Sequence, residues 1–438
     1  MLIEFQVGNF LSFKETVTFS MVASDIDSQD AELDSNSVFT VNEELSLLKA
    51  AAIYGANASG KSNFAKAFGF MKWFVINSST GIQITDDIDI EPFRLSTETE
   101  YSPSFFQVTF GLNNKIYKYA FGITTEKVHI EVLSCLNNQK EYDLFRRYGN
   151  DFKINLKSFK EGKGLEEKTK HNSLFLSVVA QFNGKISEQI LKWFNKCQVI
   201  SASGTHDNLY RNISLKFFES PLRRDIVQFI KDLDLSIYDI RMTKESISSE
   251  TLPSAIPEEL RKLILRSSNL RSSNEVSSVQ TLHEKYNEKG EVVGTEKFEL
   301  EENESEGTKK LFYLSGILLN ALKNGHLIVI DELDAKLHPI ITRQIVQMFN
   351  SNKYNSKGAQ LIFMTHDTNL LSSRLFGSRL LRRDQIWFTE KNQQGATDLY
   401  SLVEYDIPED ASFESDYIRG KYGAIPFIGN FRQLLANQ

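Results

Sequence analysis

The sequence predicts an α/β fold: a mixed sheet carrying a phosphate-binding loop, an antiparallel β subdomain beside it, and an inserted helical domain between the loop and its downstream partners. Three observations carry that expectation. Residues 55–62 read Gly-Ala-Asn-Ala-Ser-Gly-Lys-Ser, a G-x-x-x-x-G-K-[ST] pattern set between the apolar run Leu48–Tyr54 and a helical pattern over Asn63–Ile76. A second apolar run, Leu327–Ile330, closes on Asp331-Glu332. Between these motifs the patterning is first that of strands and then that of helices.

Taken in order, Leu2–Phe10 and Thr16–Val22 read as paired strands, and Ala50–Tyr54 as the strand entering the loop. Strand patterns follow at Phe105–Leu112, Lys115–Ile123, His129–Leu136 and Tyr142–Tyr148, with Asn113-Asn114 as a hairpin turn. Helical spacing then takes over at Leu174–Lys196, Leu222–Leu233 and Pro257–Arg266, separated by polar, Ser-rich stretches. The expected organisation is an N-terminal lobe over 1–159, an inserted mainly helical domain over 160–290, and a C-terminal lobe over 291–438. The insertion has no sustained heptad run and is too broken to be a long coiled-coil arm.

The residue types at these places suit a nucleotide's phosphates and Mg²⁺, and the resemblance given below implies that the nucleotide is ATP. Gly55 and Gly60 permit backbone angles that turn successive N–H groups toward one anion, with Asn57, Ser59 and Asn63 completing the binding loop and its helix start. Lys61 is placed to meet the β/γ-phosphates, while the Ser62 hydroxyl and the Asp331 carboxylate can hold Mg²⁺. Glu332 follows as the candidate base that polarises the attacking water. Ser305-Glu306-Gly307-Thr308-Lys309 precedes a helical pattern over Lys310–Leu322, so Ser305 falls at an N-cap, where a hydroxyl and free N–H groups can face a phosphate. Leu361–Thr365 is a further buried strand pattern ending at His366, a candidate donor to the γ-phosphate, although histidine at such a place is also often an ordinary surface or core residue.

In that order, Gly55–Ser62, Ser305–Thr308, Ile330–Glu332, Ala335–Pro339 and Thr365-His366 resemble the ABC-type ATPases of the group containing SMC, RecF and OLD proteins. The resemblance implies an ABC-type P-loop ATPase head, and a head-to-tail homodimer or higher homo-oligomer in which Ser305 and Gly307 of one subunit close over ATP held by another. Two departures stand out: Ser-Glu-Gly-Thr replaces the Ser-Gly-Gly-Gln of transporter signatures, and His338 occupies the usual D-loop aspartate position. Met1–Phe13, Pro92-Phe93-Arg94-Leu95, a strand read over Leu380–Phe388, and the tail Gly420–Pro426 are similar to bacterial RloA/AbiL-type ATPases. That similarity implies the ATPase half of a two-component phage-defence system with a separate nuclease-like effector and a phage-encoded trigger.

At 438 residues, 41% hydrophobic and 24% charged, the chain can bury a large core. Cys135 and Cys197 form no C-x-x-C pair, so neither a disulfide framework nor a zinc site is indicated and a reducing cytoplasm suits the protein. No stretch approaches the roughly 20 apolar residues that span a bilayer, so no membrane partner is expected. A net charge of −7 argues against a generally basic nucleic-acid surface, so any DNA contact must be regional.

Arg211, Arg223, Arg224, Arg261, Lys262, Arg266 and Arg271 in the insertion could contact a partner or nucleic acid or serve ordinary solvated helix faces, and Arg382 and Arg383 could face a partner or flank a strand. Glu299, Glu301, Glu302, Glu304 and Glu306 favour the start of the signature helix electrostatically. Asp86-Asp87-Ile88-Asp89 reads as surface acidity. No built-in effector is legible: there is no Ser/His/Asp arrangement in a recognisable context, no H-N-H-like cluster, and no Glu with a following Asp-x-Asp strand end. Three function classes remain: a defence ATPase governing a separate effector, a RecF-like DNA-repair ATPase, and a non-hydrolysing scaffold, against which Glu332 and His366 argue.

Overall fold

The computed structural model describes residues 1–26, 28, 30–137, 140–201, 207–233, 236–246, 275–408 and 411–427. It divides into two compact units, Met1–His206 together with Ala321–Gln438, and Asp207–Asn320.

The first unit is built on two sheets. The six-stranded sheet runs in the order Gln198–Ile200, Leu327–Ile330, Gln360–Met364, Ala50–Gly55, Ile386–Lys391, Thr397–Ser401. Its first five strands are parallel and the last is antiparallel. Every residue of Leu327–Ile330, Gln360–Met364 and Ala50–Gly55 is buried, which is why these segments read as continuous apolar runs instead of alternating ones. Parallel strands deliver their C-terminal ends to one edge. The phosphate loop, Asp331-Glu332 and His366 therefore leave the sheet at the same edge, with only the Gln360–Met364 strand between the loop strand and the carboxylate strand.

The seven-stranded sheet is antiparallel throughout, in the order Asp151–Ile154, Lys140–Tyr148, Val128–Asn137, Lys115–Ile123, Ser104–Leu112, Leu2–Gly8, Val17–Ser20. Asn113 and Asn114 both take left-handed angles, φ 51° and 59°, as a tight two-residue hairpin requires. The helix that follows the phosphate loop, Lys61–Asn77, buries Phe64, Ala65, Ala67, Phe68, Met71, Phe74 and Val75. Phe5 meets Phe64 and Phe68 edge-on at 5.5 and 5.2 Å, and Phe106 packs on Phe70 at 5.2 Å. Each such ring contributes about 1.5–3 kcal/mol of burial. The antiparallel subdomain is thereby fixed to the helix whose N-terminus forms the nucleotide loop.

The segment expected to open the insertion at residue 160 belongs to this first unit. Helices Phe175–Gln181 and Lys185–Lys196, broken at the left-handed Asn183 (φ 64°), end in the strand that forms the edge of the six-stranded sheet. Trp193 stacks on Phe110 at 4.2 Å. Helical periodicity identifies a helix but not the core it packs against. The strand read over Leu380–Phe388 starts only at Ile386, because a 3-10 turn, Arg383–Gln385, precedes it. Arg382 faces no partner there: it is 5% exposed, 2.6 Å from Asp34 and 2.8 Å from Asp384.

The second unit holds helices Asp207–Phe218 and Arg223–Leu233, an antiparallel three-stranded sheet of Ile237–Ser246, Glu275–Tyr286 and Val292–Glu299, the short helix Leu300–Asn303, and most of the signature helix Glu306–Asn324. The strands carry no sequence signal because they are polar and Val292–Phe298 is exposed. Phe218 meets Phe312 at 5.4 Å and Tyr210 meets Tyr313 at 5.7 Å, joining the first helix to the signature helix. The expected helix Pro257–Arg266, with Arg261, Lys262, Arg266 and Arg271, lies outside the described residues. Among the described residues, no helix is long and apolar enough to cross a membrane.

Candidate functional site

The loop Gly55–Ser62 leaves the central parallel strand and turns directly into its helix, with Gly60 at the N-cap in a left-handed conformation, φ 114°. A Cβ on Gly60 would run into the Thr397 side chain, and one on Gly55 would lie 2.5 Å from Ser59 Oγ and from the Thr389 carbonyl. The glycines are thus required by backbone angle at Gly60 and by close approach at both positions. Lys61 is 6% exposed, and its Nζ donates to the carbonyls of Gly55 (2.7 Å) and Ala56 (2.9 Å), folding the ammonium over its own loop. Burial holds its pKa down to about 8, against the opposing pull of Asp331, Asp334 and Glu332.

Asp331 follows the buried Leu327–Ile330 strand and is itself 5% exposed. Its backbone N–H donates to Ile200 O at 2.8 Å, while its carboxylate Oδ1 is buried without a protein hydrogen-bond partner. An orphaned carboxylate oxygen beside a hydroxyl-bearing phosphate loop is the hard oxygen donor set that Mg²⁺ selects, so Ser62 and Asp331 fit that ion. Glu332 is exposed and takes a left-handed backbone conformation, φ 52°, a sparsely populated state for a residue with a Cβ. His366 is also exposed; burial of its surroundings and the Lys61 charge lower its pKa, with Asp334, Glu332 and Asp331 acting in the other direction. The parallel strand order brings Lys61, the Asp331-Glu332 pair and His366 to one sheet edge.

Several residues that support this edge carry no motif signal. Asp334 Oδ2 accepts the His366 N–H at 3.4 Å, and Leu333 N–H donates to Met364 O, so the carboxylate turn and the histidine turn are tied together. Ser12 Oγ accepts from Asn63 Nδ2 (2.7 Å) and from Thr397 Oγ1 (2.8 Å), and Ser59 Oγ pairs with Thr389 Oγ1 at 2.7 Å. Asn9, in the same N-terminal hairpin, donates to the carbonyls of Thr99 and Ser102 and accepts from Phe93 N–H, pinning the Pro92–Leu95 segment. Asn57 is exposed on the loop, and His338 caps the following helix Pro339–Phe349 by accepting from Ile340 N–H.

In the second unit, Ser305 is exposed and caps the signature helix, with Oγ accepting Thr308 N–H at 3.1 Å. Gly307 occupies the first helical turn. The neighbouring glutamates do more than sit at a helix start: Glu301 pairs with Arg211 at 3.1 Å, Glu304 with His283 at 2.7 Å, and Glu299 accepts from Gln280. No group of three or more metal-binding side chains occurs among the described residues, at Asp86–Asp89 or elsewhere.

The family described as "AAA domain, putative AbiEii toxin, Type IV TA system" matches residues 50–372, a span that contains the phosphate loop, Ser305, Asp331, Glu332 and His366. Among solved structures, the SMC head domain from Thermotoga maritima is 14% identical, with 93% of this chain and 99% of that chain covered and a TM-score of 0.37. The recombination mediator protein RecF of the RecFOR pathway is 13% identical, with 91% and 98% covered and a TM-score of 0.37. No curated protein matches the chain.

Proposed function

The chain belongs to the AAA-domain family that matches residues 50–372, and on that premise we propose that it is an ATP-hydrolysing ABC-type ATPase that dimerises around ATP. The observation that carries the reading is the meeting, at one sheet edge, of the loop lysine Lys61, the buried Asp331 with an unpartnered Oδ1, and His366. The loop amides and Lys61, released from the Gly55 and Ala56 carbonyls, hold the triphosphate. Ser62 and Asp331 hold Mg²⁺, which when bound neutralises charge on the phosphate oxygens. Glu332 takes the proton of the attacking water, and His366 donates to the γ-phosphate. Ser305 and Gly307 of a second copy close the site through their helix N-terminus.

We place this ATPase as the sensor and regulatory subunit of a two-component antiviral system with a separate nuclease-like effector and a phage-encoded trigger. Support comes from the RloA/AbiL-like segments and from the family description, which names a toxin of a toxin–antitoxin pair. A RecF-like DNA-repair role predicts instead salt-sensitive duplex binding and DNA-stimulated hydrolysis, against a net charge of −7.

Glu332→Gln tests the core reading. It should bind ATP, enrich the dimer on size-exclusion chromatography with light scattering, and hydrolyse at least about a hundredfold more slowly, within the range of general-base removal. A variant with wild-type turnover would remove Glu332 from this role. Recovery of an effector on tagged protein from phage-infected cells tests the biological assignment.

A further inference from the structure

Glu304 and Ser305 form the two-residue link between the helices Leu300–Asn303 and Glu306–Asn324, and their side chains meet opposite surroundings. The Glu304 side chain is 9% exposed, and its Oε1 accepts from His283 Nε2 at 2.7 Å and from the hydroxyl of the fully buried Thr281. A carboxylate only accepts, so Nε2 is the protonated ring nitrogen of His283. Thr281 and His283 stand two residues apart on the strand Glu275–Tyr286 and therefore share one of its faces. The His283 ring lies on Phe298 of the neighbouring strand at 4.7 Å, which sets the plane in which its N–H points.

Ser305 follows directly and is exposed, its Oγ accepting Thr308 N–H at 3.1 Å and its carbonyl accepting Lys309 N–H at 3.0 Å. Glu304 itself is extended, φ −87° and ψ 154°, and successive side chains of extended backbone point to opposite sides. Seating the carboxylate against the strand thus turns the serine away from it. The other end of the short helix is held to the same strand, where Glu299 accepts from Gln280 at 2.7 Å and from the Ser278 hydroxyl. Both ends of the turn that presents Ser305 take their position from Glu275–Tyr286.

We propose that His283 and Thr281 are positioning residues of the signature, holding Glu304 so that Ser305 and its helix N-terminus are set to close over the nucleotide of a second copy. The inference rests on the reading of Ser305 and Gly307 as the groups that close that site. Neither His283 nor Thr281 touches the nucleotide. A Glu304 carboxylate that loses its donors can recover hydrogen bonds only by leaving the strand for water, and the adjacent Ser305 moves with it. Loop and signature belong to different subunits in that reading, so the loss acts on closure and spares ATP capture by a single subunit.

The test is His283→Phe in the full chain, which keeps a ring against Phe298 and removes the N–H, beside His283→Gln, whose amide N–H takes the donor's place. Dimerisation in a non-hydrolysable ATP analogue with Mg²⁺, measured by sedimentation, should weaken at least about tenfold in His283→Phe, as expected for loss of a hydrogen bond to a charged group. His283→Gln should restore most of it. Analogue binding at dilutions where the wild type is a monomer should stay at the wild-type value in both variants. Lys285→Ala, which removes an exposed pair with Glu296 from the same two strands, should leave dimerisation unchanged. A His283→Phe variant that dimerises like the wild type overturns the inference. So does a His283→Gln variant as weak as His283→Phe, an equal loss in Lys285→Ala, or an equal loss of analogue binding by the monomer. A wild type that fails to bind the analogue, or binds it without dimerising, overturns the underlying reading of the site instead.

Discussion

Replacing Glu131 by alanine removes the anionic centre of the antiparallel subdomain, and the structure gives the size of the loss. Glu131 is fully buried and Arg147 is 1% exposed, with Arg147 Nη1 at 3.7 Å from Glu131 Oε2. The carboxylate also accepts from Tyr119 Oη (2.8 Å) and from the backbone N–H groups of Phe175 (2.6 Å) and Leu176 (2.9 Å), at the start of the helix Phe175–Gln181. Arg147 donates besides to the carbonyls of Ser173, Gly149, Lys170 and His171. Burial works against the pair: it raises the pKa of Glu131 and lowers that of Arg147. The pair as a whole therefore adds little over an apolar filling, but removing one member strands a buried guanidinium and two helix-start amides. The four carbonyls that still receive Arg147 keep the loss near that of a broken buried pair, about 3–5 kcal/mol, and not above it. Denaturant unfolding followed by Trp fluorescence measures it, since Trp193 lies in the same core. Glu141→Ala is the control, because its pairing with Lys118 at 3.9 Å is exposed and should cost less than about 1 kcal/mol. A Glu131→Ala loss no larger than the control refutes the assignment of this pair as the fastener between sheet and helix.

Three further outcomes follow from the same structure. Gly60→Ala places a Cβ against Thr397 at a φ of 114°, so nucleotide affinity measured by calorimetry should fall by more than about tenfold; unchanged affinity would show that the loop relaxes freely. Arg382→Ala leaves the Asp34 and Asp384 carboxylates without their shared cation and should lower unfolding stability by about 3 kcal/mol while sparing the KM for ATP. A shifted KM at constant stability would instead place Arg382 in the site. Asn9→Ala frees three hydrogen-bonding groups of the Pro92–Ser102 segment and should speed proteolysis there, each orphaned group being worth about 1–3 kcal/mol; wild-type cleavage would deny Asn9 that role.

The sequence by itself determined the phosphate loop, the carboxylate pair, the capped signature helix and His366, because each is a short contiguous string whose chemistry depends on adjacent residues. It also determined the order of the first strands and the Asn113-Asn114 hairpin, since alternation and left-handed turn residues are local properties. The polar strands Ile237–Ser246 and Val292–Glu299 left no trace in the pattern, as their sides are not sorted into apolar and polar. Only the tertiary structure decided that the helices over 175–196 belong to the first unit, that Arg382 is a buried tie, and that Ser12, Thr389 and Thr397 reach the loop. The Thr389 and Thr397 contacts join residues more than 300 positions apart through single hydroxyls. A hydroxyl's partner is set by which strand ends arrive beside it, and that is a property of the sheet order, which no window of sequence contains.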